Sequence, residues 1–324
     1  MYTVNHTMAK TILVTGAAGF IASNFIQKFK KEFPSTEIVG IDDFSTGRKE
    51  ALDTSITFYK GSVTDAKLLK KIFQKHAPEY VFHFAARPRV TYSVEHLQET
   101  TEVNIGGTAA LLEAARDSGI QRFIYSSSSA VPGPTKEMPT SESVQVNPIS
   151  PYAFQKYSGE VLSRMASELY GFDTVSLRYF NVFGPGQYGD SPYATVVAGW
   201  LEAIYFPKKK VGYIEGDGKQ AKDMCFVDNV VDANILAMKY PKPLRGGVFN
   251  IAHSKPISIN EIAKLIEKHT GKKLVLEKRP PRMGDVRFSH ADITKAKRVL
   301  GFKPETNFET CLKKTIAWFE TRKK

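Results

Sequence analysis

Cysteine is scarce in this chain of 324 residues, and long hydrophobic runs are missing from it. The two cysteines, Cys225 and Cys311, are too few for the disulfide framework of a small secreted domain. The longest apolar stretches are far shorter than the roughly 20 residues that a membrane-spanning helix needs. No long apolar segment follows a charged N-terminal region, as it would in a secretory signal. These absences predict a protein of the reducing cytoplasm.

Acidic residues are fewer than basic residues, and most of the basic excess lies near the C-terminus. The chain has 33 Asp and Glu against 45 Lys and Arg, a formal net charge of +12, and residues 264–324 alone hold 17 basic and 7 acidic side chains. Such a stretch is either a solvated basic face or a lobe that receives an anionic ligand such as a nucleotide diphosphate. No RNA-binding signature accompanies it, so we do not expect a nucleic-acid partner.

Short β-branched or aromatic runs alternate with amphipathic stretches in the first 180 residues. The predicted strands are Thr11–Thr15, Glu37–Ile41, Thr57–Tyr59, Tyr80–Phe84, Arg122–Ser126 and Thr174–Phe180. The predicted helices are Phe20–Phe33, Ala66–His76, Leu97–Ser118 and Tyr152–Tyr170. Apolar strands alternating with helices indicate a doubly wound parallel sheet covered on both faces, an α/β fold of the Rossmann type.

The pattern becomes irregular beyond Phe180. Asn181–Tyr193 is rich in Gly, Pro, Asn and Asp, which predicts an extended loop. A strand at Asn250–Ala252 and helices at Asn260–Thr270 and Phe308–Arg322 follow. Because no low-complexity linker separates the halves, we expect a smaller C-terminal α/β lobe that packs directly on the first.

A glycine-rich turn follows the first predicted strand. Gly16 allows a sharp turn, Gly19 lets backbone N–H groups approach a pyrophosphate at a helix start, and Ala22 replaces a third glycine. Asp42 ends the second strand, where a carboxylate binds the adenosine ribose hydroxyls and repels a 2′-phosphate. The pattern favours NAD over NADP. The alternative is a tight turn in an unrelated α/β domain.

Tyr152 and Lys156 stand four residues apart on a predicted helix, so a phenol and an ammonium share one face. A lysine cation and a positively charged nicotinamide nearby would lower the tyrosine pKa from about 10 and make the phenol a usable base. Ser126–Ser129 follow the fifth strand at the edge where open α/β sheets bind ligands. Taken separately, a surface Tyr–Lys pair and a plain serine-rich loop are the common alternatives.

Eight separated segments carry a family resemblance. They are Thr15–Ile21, Asp42–Gly47, His83–Ala86, Val103–Thr108, Ser150–Tyr152 with Lys156, Arg178–Pro185, Gly216–Gly218 with Asp223, and Arg282–Arg287. In this order they resemble the extended short-chain dehydrogenase/reductase family, and within it the nucleotide-sugar 4-epimerases of the UDP-galactose or UDP-N-acetylglucosamine type. The resemblance spans Thr15 to about Phe302. It implies NAD as cofactor, a UDP-sugar as substrate, and a homodimer formed through Leu97–Ser118 and Tyr152–Tyr170.

The resemblance also implies roles for individual residues. Tyr152 would be the acid/base, Lys156 would hold the nicotinamide ribose and tune Tyr152, and Ser128 would bind the reacting sugar oxygen. Cofactor contacts are expected from Gly16, Gly19, Phe20, Ile21, Asp42, Asp43, Phe44, Ser45, Thr46, Gly47, Ser62, Val63, Phe84, Ala85, Ala86, Arg87, Asn104, Tyr152, Lys156 and Phe180. Substrate contacts are expected from Arg89, Ser128, Tyr152, Asn181, Val196, Tyr213, Lys222, Arg282, Asp285 and Ser289. No metal site is expected. Residues 1–180, with contributions from about 225–255, would bind NAD, and residues 181–324 would mainly bind the UDP-sugar.

The implied reaction is a reversible inversion at C4. The Tyr152 phenolate would take the proton of the 4-hydroxyl, directly or through Ser128, while C4 gives hydride to tightly held NAD⁺. The 4-keto sugar would turn over and receive the hydride on its other face. Where related dehydratases carry Thr-Asp-Glu, this chain has Ser128-Ser129-Ala130, so it lacks the carboxylate pair that water elimination needs.

The choice of sugar is left open by the sequence. Ser289 stands where a bulky tyrosine excludes N-acetyl groups in the family, which suggests room for UDP-N-acetylhexosamines as well as UDP-hexoses. Arg89 is either a substrate contact, suited to a uronate, or an ion-pair partner of Glu95. The remaining alternatives are a UDP-glucuronate 4-epimerase, another oxidoreductase or dehydratase of the family, a non-catalytic NAD-binding protein and a basic nucleic-acid-binding protein.

Overall fold

A parallel sheet forms the centre of the structure, a computed structural model that describes residues 9–190, 194–208, 211–280 and 287–322. The strands are β1 Thr11–Thr15, β2 Glu37–Asp42, β3 Thr57–Lys60, β4 Tyr80–His83, β5 Arg122–Ser128, β6 Asp173–Tyr179, β7 Val182–Phe183, β8 Gly212–Glu215, β9 Ala221–Asp223, β10 Cys225–Phe226, β11 Gly247–Ile251, β12 Pro256–Ser258 and β13 Leu276–Arg279. The central sheet has the order β11-β6-β5-β4-β1-β2-β3, and every neighbouring pair in it is parallel.

Helices cover both faces of this sheet. The α-helices are α1 Phe20–Glu32, α2 Ala66–His76, α3 Val90–Glu95, α4 Leu97–Thr101, α5 Gly107–Arg116, α6 Pro151–Leu169, α7 Val196–Tyr205, α8 Val227–Lys239, α9 Ile259–Thr270, α10 Thr294–Leu300 and α11 Phe308–Thr321. Successive strand residues point to opposite faces. Accordingly, Phe82 packs with α1 and α8 on one face, while Val81 packs with α2 and α5 on the other. The predicted Rossmann-type α/β fold is therefore confirmed.

The strand order reverses beside β1, and this reversal fixes where a ligand can bind. From β1 the chain proceeds outward to β2 and β3, then returns to the other side of β1 with β4, β5 and β6. In such a sheet the crevice outside the carboxyl ends of the strands, at the switch point, is the ligand site. The turn after β1 and the ends of β4 and β5 all lie at this edge.

A third apolar cluster belongs to the C-terminal part of the chain. It joins α7, α9 and α11 through residues such as Trp200, Ile262 and Leu312, which are almost completely buried. Two small strand pairs, β8 with β13 and β9 with β12, accompany it. In contrast, β11 and α8 return to the central sheet, because β11 pairs with β6 and α8 packs against α1.

Two predictions made from the pattern differ from the structure. The helix predicted over Leu97–Ser118 is interrupted by a π-helical turn at Glu102–Gly106, so α4 and α5 are separate elements. The helices α7 and α8 were not predicted, and most of their residues are buried. Within the described ranges, no helix is both long and apolar enough to cross a membrane.

Candidate active site

A cleft of about 880 Å³ runs along the carboxyl edge of the sheet and continues to the C-terminal lobe. Most of the predicted site residues line it. They are Gly16, Gly19, Phe20, Ile21, Asp42, Asp43, Ser45, Thr46, Ser62, Val63, Phe84, Ala85, Ala86, Arg87, Arg89, Ser128, Tyr152, Lys156, Phe180, Asn181, Val196, Tyr213, Lys222 and Ser289. Arg282 and Asp285 lie outside the described residues. Residues from distant parts of the chain thus share one cleft of the size that cofactor sites have.

The turn between β1 and α1 brings backbone donors to the cleft. Gly16 has a φ of +69°, and a β-carbon there would fall 2.9 Å from the backbone nitrogen of Ala85, so only glycine fits. The Gly19 N–H donates to the Gly16 carbonyl at 2.8 Å, which closes the turn. Among the described residues no side chain caps α1, so its first N–H groups and its positive dipole end face the cleft. This turn fits the pyrophosphate of a dinucleotide.

Asp42 organises the loop after β2. Its carboxylate accepts N–H hydrogen bonds from Ala18 at 3.0 Å and from Phe44 at 2.7 Å, so it joins the glycine turn to its own loop. Burial raises the Asp42 pKa, and these two hydrogen bonds oppose the rise. Gly47 packs so closely that a β-carbon would fall 2.8 Å from a carboxylate oxygen. The carboxylate is therefore held rigidly at the end of the strand.

Arg87 links two walls of the cleft. Its guanidinium donates to Asp43 at 2.9 Å and to Glu99 at 2.7 Å. Asn104, in the π-helical turn, accepts from the Arg87 N–H at 2.7 Å and donates to the Arg87 carbonyl at 3.0 Å. The Asn104 amide thus holds the backbone of Arg87, a residue that lines the cleft, and the predicted contact of Asn104 with the cofactor stays a prediction.

Phe44 and Gly47, also expected at the cofactor, lie beside residues that line the cleft. The Phe44 ring packs on Phe58, with the ring centroids 5.5 Å apart. Gly47 is pressed against Asp42. The contacts of Phe44 and Gly47 with the cofactor stay predictions.

The predicted catalytic residues meet where β5 ends and α6 begins. The helix starts with Ser150, whose side chain accepts the Ala153 N–H, and Pro151 takes its first position. The Tyr152 N–H donates to the Ser93 Oγ of α3 at 3.0 Å, which fixes this end of the helix. Lys156 is 4% exposed and donates from Nζ to the Ser126 carbonyl at 2.8 Å.

Burial and nearby cations set the electrostatics of this group. Burial raises the pKa of Tyr152, while a hydrogen bond with Ser128 and the charge of Arg89 oppose the rise. The Lys156 Nζ points to the strand end and lies 6.0 Å from the Tyr152 ring centroid. Burial also lowers the pKa of Lys156 to about 8. Arg89 is thus the cation that opposes the effect of burial on the phenol, while Lys156 is directed to β5. The lowering of the Tyr152 pKa by Lys156 together with a bound nicotinamide stays a prediction.

His83 is a supporting residue rather than a proton donor. Its ring lies between the hydroxyls of Thr15, at 2.8 Å, and Thr108, at 3.0 Å, and is 2% exposed. Burial lowers the pKa of His83 to about 3, so the imidazole is neutral. It joins β1 and β4 to α5 directly behind the cleft.

The substrate side of the cleft contains a hydrogen-bonded group centred on Ser289. The Ser289 Oγ accepts from the Asp223 N–H at 3.0 Å, and the Asn181 side-chain amide donates to the Asp223 carbonyl at 3.0 Å. Asn181 has a φ of +29°, which is unusual for a residue with a side chain. On the facing wall, the Trp200 indole donates to the Tyr213 carbonyl at 2.8 Å, which fixes β8 against α7.

Sequence reasoning missed a bridge across the cleft. Arg48, in the segment after β2, pairs with Asp190, in the segment after β7, at 2.5 Å. Its guanidinium also stacks on the Tyr188 ring, 3.9 Å from the centroid. No local pattern joins residues about 140 positions apart, so no sequence signal could have found this pair.

The fold and the cleft define a dinucleotide-binding α/β enzyme with a tyrosine–lysine–serine group opposite its glycine turn. Comparison with known proteins agrees: the model of the NAD dependent epimerase/dehydratase family matches residues 12–252. The chain belongs to this family, and NAD is accordingly its cofactor.

Similar proteins extend over nearly the whole chain. A UDP-glucose 4-epimerase of Mycolicibacterium smegmatis is 37% identical, covering 96% of this chain and 98% of that protein. A UDP-glucuronate 4-epimerase of Thermodesulfobacterium geofontis is 33% identical, covering 94% and 95%. The structure of a UDP-N-acetylglucosamine 4-epimerase from Methanobrevibacter ruminantium M1, in complex with UDP-N-acetylmuramic acid, has a TM-score of 0.89 at 35% identity and covers 98% of this chain and 100% of that one. The similarity is thus to UDP-sugar 4-epimerases that differ in their sugar.

Proposed function

We propose that the protein interconverts the C4 epimers of a UDP-hexose or a UDP-N-acetylhexosamine through a transient 4-keto sugar. The observation that carries this proposal is the convergence of Ser128, Tyr152 and Lys156 on the cleft that starts at the glycine turn. A sugar at this point would face both the phenol and the end of a bound dinucleotide. When bound, NAD supplies the hydride acceptor and donor.

The chain's own residues handle the proton and the orientation. The Tyr152 phenolate would accept the 4-hydroxyl proton, and the resulting phenol would return it after the sugar has turned over. Ser128, already hydrogen-bonded to Tyr152, would hold the reacting oxygen. Arg89 favours the ionised phenol, which offsets part of the effect of burial. The α6 helix presents Tyr152 from a rigid element fixed by Ser93.

We propose that one end of the cleft binds the cofactor and the other end binds the UDP-sugar. We assign residues 1–180, with β11 and α8, to the cofactor, and the remainder mainly to the UDP-sugar. On the second side, Lys222 lines the cleft, and Arg282 and Asp285 are proposed to grip the phosphate and ribose. A planar arginine fork binds a diphosphate bidentately, and the basic excess of residues 264–324 agrees with an anionic ligand.

A carboxylated sugar is the second candidate, and Arg89 is the observation that favours it. Its charge acts on the Tyr152 phenol, so it lies near the reacting carbon and is placed to meet a carboxylate at C6. The small Ser289 side chain in the cleft instead supports an N-acetyl group at C2. A carboxylate at C6 and an N-acetyl group at C2 are on different carbons of the sugar, and the assay below distinguishes the two candidates.

A homodimer is proposed from an apolar face on α4 and α6. Leu97 is 57% exposed, Phe154 55% and Leu169 69%. Large apolar side chains grouped on neighbouring helices commonly mark a subunit interface. We expect the protein to act in the cytoplasm as such a dimer, and sedimentation of the purified protein tests its mass.

The experiment is incubation of the purified protein with UDP-glucose, UDP-N-acetylglucosamine or UDP-glucuronate, followed by separation of the C4 epimers. We expect conversion without accumulation of NADH and without an external reductant. An oxidoreductase would instead produce or consume NADH in proportion to product. If neither UDP-glucose nor UDP-N-acetylglucosamine yields its C4 epimer while the protein holds NAD, the proposal is wrong, and conversion of UDP-glucuronate alone would support the second candidate instead.

A further inference from the structure

Glu160 is a buried carboxylate one helical turn beyond Lys156 on α6. It is 4% exposed and accepts three hydrogen bonds. The Ser127 hydroxyl donates to it at 2.5 Å, and the Arg178 guanidinium donates bidentately with two contacts of 2.8 Å. Burying a charge this deeply costs desolvation free energy, which only a close partner can offset. The partners of Glu160 therefore explain how it can be buried.

The partners come from two neighbouring strands. Ser127 of β5 and Arg178 of β6 are directly opposite each other in the parallel register. Both side chains therefore leave the sheet on the same face and meet the carboxylate of α6 from below. The second terminal nitrogen of Arg178 is buried without a partner among the described residues, so this guanidinium is committed to Glu160.

Three successive residues of β5 thus meet three successive turns of α6. Ser128 is hydrogen-bonded to Tyr152, the Ser126 carbonyl accepts from Lys156, and Ser127 donates to Glu160. Tyr152, Lys156 and Glu160 follow at intervals of four residues, which places them on one face of the helix. A shift of α6 along the strand would break all three contacts at once.

Glu160 is also the anion that acts on Lys156. The Lys156 Nζ faces the neutral Ser126 carbonyl of β5 and the Tyr125 ring, whose centroid lies 5.1 Å away. From β4 it faces the neutral His83, and on its own helix Tyr152 and Glu160. Burial lowers the Lys156 pKa to about 8, and only the Glu160 charge opposes this shift.

We propose that Glu160 is a positioning residue for the epimerisation: it locks α6 in register on β5 and serves as the counter-ion that keeps Lys156 protonated. The inference rests on the proposed function for its kinetic readout. Arg178 is the cation that offsets the cost of burying the Glu160 carboxylate beneath the active site.

The test is the pH dependence of kcat/KM in Glu160→Gln. Glutamine keeps the shape but not the charge, so Lys156 should lose its proton at lower pH. We expect the alkaline limb of the profile to move down by about one pH unit. Glu168→Gln is the matched control, since Glu168 lies two turns further along α6 and is exposed in a surface pair with Arg164. An alkaline limb that does not move in Glu160→Gln overturns the counter-ion role.

A double variant separates charge from structure. Glu160→Gln alone leaves the Arg178 cation buried without a counter-charge and should lower the urea midpoint. Adding Arg178→Met removes that cation and should restore the midpoint. Because the Glu160 carboxylate is missing from the double variant as well, the alkaline limb should stay shifted. If the double variant recovers the wild-type pH profile together with its stability, Glu160 is purely structural.

A measurement that needs no substrate tests this inference separately from the proposed function. The ionisation of the Lys156 amine can be followed by side-chain NMR, assigned with Lys156→Arg. Its titration should fall at lower pH in Glu160→Gln than in wild type. Equal titrations would refute the inference even if the enzyme is an active epimerase, and a shifted titration would uphold it even if no UDP-sugar is converted.

Discussion

Two tyrosines flank Lys156, and replacing each by phenylalanine should have opposite consequences. Tyr152 is half-buried, lines the cleft and shares a hydrogen bond with Ser128. Tyr125 is 1% exposed, lies under α6, and its hydroxyl has no hydrogen-bond partner within the described part of the chain. The nearby Thr108 hydroxyl donates to the Asn104 carbonyl instead, at 2.7 Å.

The expected magnitudes follow from these environments. In Tyr152→Phe one hydrogen bond at a partly exposed site is lost, and the backbone anchor on Ser93 remains, so the free energy of unfolding should change by no more than about 1 kcal/mol. Loss of the acid/base should lower kcat by about 10²–10⁴-fold, which is about 3–5 kcal/mol of barrier. In Tyr125→Phe a buried, unpaired hydroxyl disappears, so stability should be unchanged or higher by up to about 1 kcal/mol, with kcat within a few fold of wild type.

Urea unfolding and epimerisation of the preferred UDP-sugar, measured on the same preparations, test both variants. Retention of NAD by the purified protein shows whether the cleft is intact. The assignment of Tyr152 fails if its phenylalanine variant, folded and loaded with NAD, turns over within about threefold of wild type. It also fails if Tyr125→Phe loses as much activity, because both phenols would then act through Lys156 rather than on the sugar.

Three further predictions concern the surroundings of the site. Asp42→Asn should lower the free energy of unfolding without cofactor by about 1–3 kcal/mol, because an amide cannot accept from both backbone N–H groups; an unchanged melting temperature would contradict this. The His83 pKa of about 3 lies below its unfolded value of 6.5, so its contribution to stability is present above pH 6.5 and is lost as the pH falls; wild type should lose about 2 kcal/mol at pH 5 that His83→Gln does not lose. Ser289→Tyr should abolish conversion of UDP-N-acetylglucosamine while sparing UDP-glucose, and equal loss of both would show that the position does not select the sugar.

The sheet and its catalytic edge could be predicted because their signals are local. The run Thr11–Thr15 and the run Arg122–Ser126 are apolar over the length of a strand, and in the structure β1 begins and ends as predicted while β5 continues two residues further. Gly16 and Gly19 indicate a tight backbone turn at their own positions. Such features depend on consecutive residues, so they can be predicted without knowing the rest of the chain.

What could not be predicted depends on contacts between distant residues. Asn104 has the residue type of a cofactor ligand, yet the π-helical turn directs its amide to the Arg87 backbone. The bridge from Arg48 to Asp190 exists only because the two lobes meet.

The charge on Lys156 shows why a motif alone does not define a mechanism. A Tyr–Lys pair four residues apart predicts a cation beside a phenol, but the fold points that cation at a strand carbonyl and removes its water. Burial then works against the protonation that the motif assumes, and the compensation must come from elsewhere. It comes from Glu160, whose own burial is made possible by Arg178 on the next strand. The protonation state of Lys156 therefore depends on side chains from α6, β5 and β6, and the register of these three elements brings them together.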